Sequence, residues 1–130
     1  MNLLPAITSL SLDGPAASEV TAEIMDEGRA IHVKGSITPV AGQDRYCLIR
    51  CGIVSLPAGT YTLANSEPST LPALMYIQLV DPESSVNPTN KTPRFTLKGG
   101  GYPLQIVTRT ATPFDVTITP SLVRLEGDTR

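Results

Sequence analysis

The sequence predicts an all-β protein that folds as an antiparallel two-sheet β-sandwich. Short segments of alternating apolar and polar residues recur along the chain, and Gly, Pro, Asn and Asp mark turns between them at intervals of roughly 8 to 12 residues. About eight such strands are expected, and no segment has a secure helical pattern. This spacing is typical of a sandwich, and the winding we expect is a jelly roll.

The composition indicates one folded domain with an unusually low charge. The chain has 130 residues, 41% of them hydrophobic and 17% charged, and a formal net charge of −2. A chain of this length buries roughly two-thirds of the surface that its unfolded form exposes, so it can hold a core. The charged fraction is below the usual level of about 25%. Either an uncharged surface that meets a partner or a sheet surface rich in Thr and Ser would explain it.

Charge and hydropathy argue against two classes of partner. Lys and Arg form no cluster that could follow a phosphate backbone, so we expect no nucleic-acid partner. No run of about 18 apolar residues is present, so we expect no membrane span. Residues 1–5 lack the basic and continuous apolar regions of a signal peptide, and we therefore expect synthesis in a cytoplasm without this kind of secretion signal.

The first 17 residues are predicted to form an extended N-terminal arm, because Pro5 and Gly14 interrupt any helix. The sandwich domain is expected over residues 18–126, followed by a frayed polar tail at 127–130. The apolar side chains of the arm need a surface to bury them, either on the same domain or on a neighbouring subunit. We expect four of them to be interface anchors: Leu3, Leu4, Ile7 and Leu10.

Residues 18–28 fit either a helix or a strand. Apolar residues at helical spacing follow a possible N-cap at Ser18. The next segment, 29–34, alternates cleanly, and Asp26-Glu27-Gly28 is a turn signal between the two. A hairpin accounts for both halves with one turn, so the strand is favoured.

The centre of the sequence carries the strongest strand signals. Residues 45–51 alternate, and the apolar run at 53–56 leads into a Pro57-Ala58-Gly59 turn. The strand after this turn places Tyr61 and Leu63 on one face.

The two cysteines, Cys47 and Cys51, share a strand face. Four residues of extended chain span about 13 Å, whereas a disulfide needs Cα atoms within about 7 Å. We therefore expect two free thiols in the core.

Residues 73–81 are the most hydrophobic strand and are apolar on both faces, which predicts a central position or a neighbour on the outer side. The segment 81–93 is rich in Pro, Ser and Asn and is long for a loop, a feature often associated with binding. Further strands are predicted at 94–98, 102–110 and 114–122, with a glycine turn between the first two.

The sequence offers little chemistry. His32 is the only imidazole, and alternation directs it outward, so we expect a surface residue. No nucleophile elbow or metal-binding spacing is present, and we expect neither a cofactor nor an enzyme activity. Tyr46 and Tyr76 share strand faces with polar residues, which makes them the candidate exposed platform for a ligand such as a sugar ring.

The order of the motifs resembles a family of small β-sandwich domains in bacteriophage and prophage structural proteins. Asn2-Leu3-Leu4-Pro5 opens the pattern, and the turn at 26–28 and the strand ending at Gly35 follow. The remaining motifs are Leu-Pro-Ala-Gly-Thr-Tyr-Thr-Leu at 56–63, Tyr-x-x-Leu-Val-Asp at 76–81, Phe-Thr-Leu at 95–97 and Val-Thr-Ile-x-Pro-x-Leu at 116–122. The Leu-Glu-x-Gly of the pattern appears only as Leu-Glu-Gly at 125–127, and the loop at 82–93 is longer than the pattern has.

The resemblance implies a non-catalytic virion protein, located on the capsid as a decoration protein or head fibre, or on the tail. It also implies a homo-oligomer, with a trimer favoured, and capsid or tail proteins as partners. Some members of the family resemble carbohydrate-binding modules. The alternative function is therefore a host-recognition module that binds a surface glycan.

Overall fold

The computed structural model describes residues 2–66, 71–84 and 86–125. Within these ranges the chain forms nine strands and no α-helix. The strands are β1 (Ser11–Asp13), β2 (Val20–Met25), β3 (Ala30–Gly35), β4 (Cys47–Leu56), β5 (Gly59–Ser66), β6 (Met75–Leu79), β7 (Phe95–Leu97), β8 (Gly100–Thr108) and β9 (Phe114–Arg124).

The strands form two antiparallel sheets, as the sequence predicts. The four-stranded sheet has the order β1-β4-β8-β6, and the five-stranded sheet has the order β2-β3-β9-β5-β7. Their inner faces enclose one hydrophobic cluster that includes Ile49, Ile77, Ile106 and Ile118, all with no exposed surface. The β-sandwich is therefore confirmed.

The strand order contains the expected jelly roll. A jelly roll places the first strand of its core beside the last, and here β3 pairs with β9. The order β3-β9-β5-β7 faces the order β4-β8-β6, and β2 and β1 are added at the edges of the two sheets. Of the described connections between consecutive strands, only the β2–β3 hairpin stays within one sheet. β1 lies within the segment predicted to be the arm, so the sheet begins before residue 18. Local alternation could not reveal this added strand, because strand partners are distant in sequence.

The β2–β3 hairpin confirms the strand interpretation from Val20 onward, whereas Ala17–Glu19 form a short 3₁₀ helix. Val20 to Met25 pair with Gly35 to Ala30, and a single 3₁₀ turn at Asp26–Gly28 joins the strands. Asp26, Glu27 and Gly28 all have positive φ. Residues with left-handed backbone close tight hairpins because their twist matches that of the flanking strands.

The predicted inner faces of the central strands are confirmed. Cys47, Ile49 and Cys51 are buried on β4, and Tyr61 and Leu63 are buried on β5. The two cysteines are free thiols, as expected.

One strand, β4, contains the alternating segment from Cys47 onward as well as the apolar run at 53–56. Its register against β8 shifts between Arg50 and Ile53, and Gly52 has φ +103° at this bulge. The extra residue changes the alternation, so Val54 and Leu56 return to the core side.

The most hydrophobic strand does not take the central position, which is one of the two alternatives predicted for it. β6 lies at the edge of the four-stranded sheet rather than at its centre. The long loop covers this edge: Leu79 donates to the Pro88 carbonyl, and Asn90 exchanges hydrogen bonds with Ile77 through its own backbone N–H and its side-chain oxygen. Because the loop satisfies the edge, an apolar strand is stable there.

Two expectations involve parts of the chain outside the described residues. They are the polar tail at 127–130 and the end of the domain at residue 126.

Candidate functional site

The two tyrosines predicted as a ligand platform converge on one arginine. Tyr46 precedes β4 and Tyr76 lies on β6, while Arg109 follows β8, the strand between them. The guanidinium carbon of Arg109 lies 5.4 Å from the ring centroid of Tyr46, and its Nη1 donates to the Tyr76 hydroxyl at 3.4 Å. Both tyrosines are half-buried. The structure therefore brings the two predicted residues to one site on the outer face of the four-stranded sheet.

Arg109 is held in place by backbone and charge. Its N–H donates to the Leu74 carbonyl, and its guanidinium makes two hydrogen bonds to the carboxylate of Asp44, at 2.9 and 3.3 Å. The hydrogen bond from Arg109 lowers the pKa of Asp44 below its usual value, and the same pair raises the pKa of Arg109. The positive charge at this site is therefore paired.

The same sheet face carries further paired polar groups. Gln105 and Gln78 face each other on β8 and β6, and the Gln105 amide donates to the Gln78 oxygen at 2.6 Å. Arg50 on β4 donates to the Asp13 carboxylate at 2.5 Å. The outer face thus offers amide and guanidinium groups with little unbalanced charge, and it could hydrogen-bond an uncharged polar ligand.

A second site is formed by the beginning of the arm. The side chain of Asn2 donates to the Pro120 carbonyl at 3.1 Å and accepts from the Leu122 N–H at 2.9 Å. The Leu3 N–H donates to the Leu122 carbonyl at 2.8 Å. These contacts attach the arm to β9.

Farther along, the arm contacts the β2–β3 turn. The Ile7 N–H donates to the Gly28 carbonyl at 2.8 Å, and Ile7 is 7% exposed. A Cβ at residue 28 would lie 2.6 Å from the Ile7 carbonyl oxygen, so only glycine admits the arm there.

The predicted interface anchors therefore differ in their surroundings. Ile7 is buried in its own chain, Leu4 and Leu10 pack partly against its core, and Leu3 is 36% exposed. A cavity of about 540 Å³ lies between the arm and the sandwich, bounded by Leu4, Ala6 and Ile7 on one side and by Arg29 and Pro120 on the other.

His32 points outward from β3, as alternation predicts. Its Nε2 contacts the carboxylate of Asp115, and its Nδ1 lies 4.0 Å from Glu23. The hydrogen bond from His32 lowers the pKa of Asp115.

The thiols have the properties of core residues. Burial raises the pKa of Cys47 to about 11, with a smaller contribution from the charge of Asp13, and burial alone raises that of Cys51 to about 12. A thiol with such a pKa is a poor nucleophile at neutral pH, since the thiolate is the reactive form.

Within the part of the chain that the structure describes, no three His, Cys, Asp or Glu side chains are arranged to hold a metal ion. The same residues include no helix of the length and hydrophobicity needed to cross a membrane.

No family model matches this chain. No curated protein or solved structure matches it either.

The sequence pattern indicates the two tyrosines but not the residues that position the two sites. Arg109 has no signal in the sequence, because a lone basic residue after a strand is common. Asn2 appeared only as part of a motif, and nothing in the sequence indicates that its side chain replaces a backbone partner. An isolated glycine in a turn signal, such as Gly28, likewise does not show that a second segment approaches it.

Proposed function

We propose that this protein is a non-catalytic structural component of a bacteriophage particle that docks as a homo-oligomer, a trimer by preference, on the capsid or tail. The observation that carries the proposal is the structural role of residues in the motifs that resemble the phage family. Asn2 attaches the arm to β9, Gly28 admits it, and the Tyr61 hydroxyl ties the β4–β5 corner by donating to the Pro57 carbonyl at 2.5 Å. Residues shared with a structural family and used for folding support a structural role.

The exposed apolar residues indicate a surface that could meet a partner. Among the residues that the structure describes, the three most exposed large apolar side chains all belong to the four-stranded sheet or to segments flanking β6: Ile53 is 71% exposed, Leu74 58% and Val86 73%. Burying such a side chain stabilises an interface by roughly 1.5–3 kcal/mol. This sheet is therefore the surface we assign to contact with the particle or with other copies.

Light scattering of the full-length protein tests the oligomer. We expect three times the chain mass of 13.8 kDa, and a monomer at all concentrations would contradict the proposal. Ile53→Ser is expected to weaken the oligomer or its binding to phage particles. The matched control is Ala64→Ser, an exposed position on the other sheet. Equal behaviour of the two variants would exclude Ile53 from the contact surface.

A host-recognition module that binds a glycan is the second candidate. The convergence of Tyr46 and Tyr76 on Arg109 favours it, together with the glutamine pair on the same face. Because both arginines of this face are paired with carboxylates, a neutral sugar suits it better than an anionic one.

A glycan array with the full-length protein tests this second function. Binding should be lost in Tyr76→Ala and kept in Thr96→Ala, a substitution on β7 of the other sheet. An array without any bound glycan, or equal binding by the two variants, would exclude the function from this face.

A further inference from the structure

The side of β9 that faces β3 is only partly covered by a strand. β5 pairs with β9 from Thr119 to Arg124, whereas β3 pairs with it from Phe114 to Ile118. From residue 119 onward, this side of β9 has no strand partner among the described residues. Residues 2–7, which we name the docked segment, occupy the vacant position.

The docked segment is recognised mainly through backbone atoms. The acceptors are the carbonyls of Pro120, Leu122 and Gly28, and the one backbone donor on β9 is the Leu122 N–H. Asn2 contacts Pro120 only through the Pro120 carbonyl. Because Pro120 has no N–H, this contact leaves no backbone donor of Pro120 without a partner. Every copy of the chain presents the same groups, and the segment of any copy fits them equally well.

The docked segment buries few side chains in its own chain. Ile7 is its only buried side chain, Leu3 is 36% exposed, and a cavity of about 540 Å³ is lined by residues of both the segment and the sandwich. The link to β1 runs through Thr8 and Ser9, which are both exposed, and through Leu10, which packs partly against the core. A short link with two exposed residues lets a terminal segment leave its own domain while Leu10 and β1 stay in place.

We propose that the docked segment of one copy occupies the position beside β9 of a neighbouring copy, in a closed ring. This inference rests on the proposed oligomer and specifies how its subunits are joined. Exchange of an identical element makes the same contacts between chains as within one chain, and a head-to-tail contact closes into a ring such as a trimer. The four Cα–Cα steps from Ile7 to Ser11 span at most about 14 Å, so the two sandwiches must lie side by side.

Cross-linking of a double cysteine variant distinguishes the two arrangements. Ala6 and Arg29 are exposed and line the same cavity, so A6C and R29C place two thiols within reach of a short bis-maleimide. The natural thiols are buried with raised pKa values and should not react in the folded protein. The full-length A6C/R29C protein is treated at several concentrations and separated on a denaturing gel.

If the arms are exchanged, cross-linking of A6C/R29C should give covalently linked oligomers. The fraction of chains in these oligomers should not change on dilution, as long as the oligomer stays assembled. Arm exchange also predicts that co-expressed A6C and R29C single variants form a mixed dimer, while each alone does not. A cross-link found only within single chains would overturn the exchange.

Light scattering of the same samples separates this inference from the function on which it rests. A trimer with cross-links only within chains rejects the exchange and leaves the oligomer standing. A monomer with such cross-links rejects both. Circular dichroism of A6C/R29C before cross-linking should match the unmodified protein, because both positions are exposed.

Discussion

The side chain of Asn2 acts as a strand partner for Leu122. Its oxygen accepts the Leu122 N–H at 2.9 Å while its amide reaches the Pro120 carbonyl at 3.1 Å, so one side-chain amide satisfies two backbone groups of β9. A peptide group of an adjacent strand would make the same two kinds of bond. The contact joins positions that are 120 residues apart in the sequence.

Replacing Asn2 with Ala should therefore destabilise the protein. The loss of two partly buried hydrogen bonds is expected to lower the free energy of unfolding by about 1–2 kcal/mol. Urea denaturation measures the effect, and Ser9→Ala, at an exposed position farther along the arm, is the matched control. Equal stability of the two variants would show that Asn2 does not hold the arm.

Gly28→Ala should be more harmful than Gly42→Ala. Both glycines have positive φ, which disfavours a side chain by roughly 1 kcal/mol. At Gly28 the new Cβ would also lie 2.6 Å from the Ile7 carbonyl oxygen, whereas nothing lies within 4 Å of the corresponding atom at Gly42. We expect Gly28→Ala to lose the arm contact, seen as faster proteolysis near the N-terminus as well as a lower urea midpoint. Equal effects of the two substitutions would contradict the close approach of the arm.

Tyr61→Phe tests the corner between β4 and β5. The Tyr61 ring has no exposed surface, and its hydroxyl donates to the Pro57 carbonyl. Removing the hydroxyl should lower the free energy of unfolding by about 1 kcal/mol. Tyr76→Phe removes only a long, partly buried hydrogen bond of 3.4 Å and serves as the control, with an expected change of less than about 0.5 kcal/mol. A larger loss of stability in Tyr76→Phe than in Tyr61→Phe would contradict the role assigned to the Tyr61 hydroxyl.

The buried thiols predict a loss of stability at high pH. Since burial raises the pKa of Cys47 to about 11 and that of Cys51 to about 12, the folded state holds protons that the unfolded chain releases near 9.0. The stabilising contribution is complete below pH 9.0 and is lost as the pH rises through the folded values. Urea midpoints between pH 8 and 11 measure this decline, which should shrink in Cys51→Ala relative to its own midpoint at pH 8.

The contact between His32 and Asp115 predicts the opposite dependence in acid. The hydrogen bond from His32 lowers the pKa of Asp115 below 3.8, so its contribution is present above pH 3.8 and is lost as the pH falls through the folded value. NMR titration of the Asp115 carboxyl measures this pKa directly. His32→Gln should raise it toward 3.8, and an unchanged value would assign the shift to another group.

Most of the strands could be predicted because their signal is local. Alternation with a period of two places Cys47, Ile49 and Cys51 on one face whatever strand lies beside them. The turn at 26–28 and the corner at 57–59 depend on residues that adopt or tolerate particular backbone angles. These features need no knowledge of distant residues, and the structure confirms them.

The sequence by itself determined the all-β class, the inward faces and the free thiols of this protein. Only the tertiary structure decided that β6 is an edge strand under the long loop, that Arg109 joins Tyr46 to Tyr76, and that Asn2 docks beside β9. The reason is physical: the direction of a side chain in a strand follows from its own backbone, whereas its neighbours follow from the order of strands in the sheet. That order depends on how all the apolar faces pack together, and no single segment of the chain contains it.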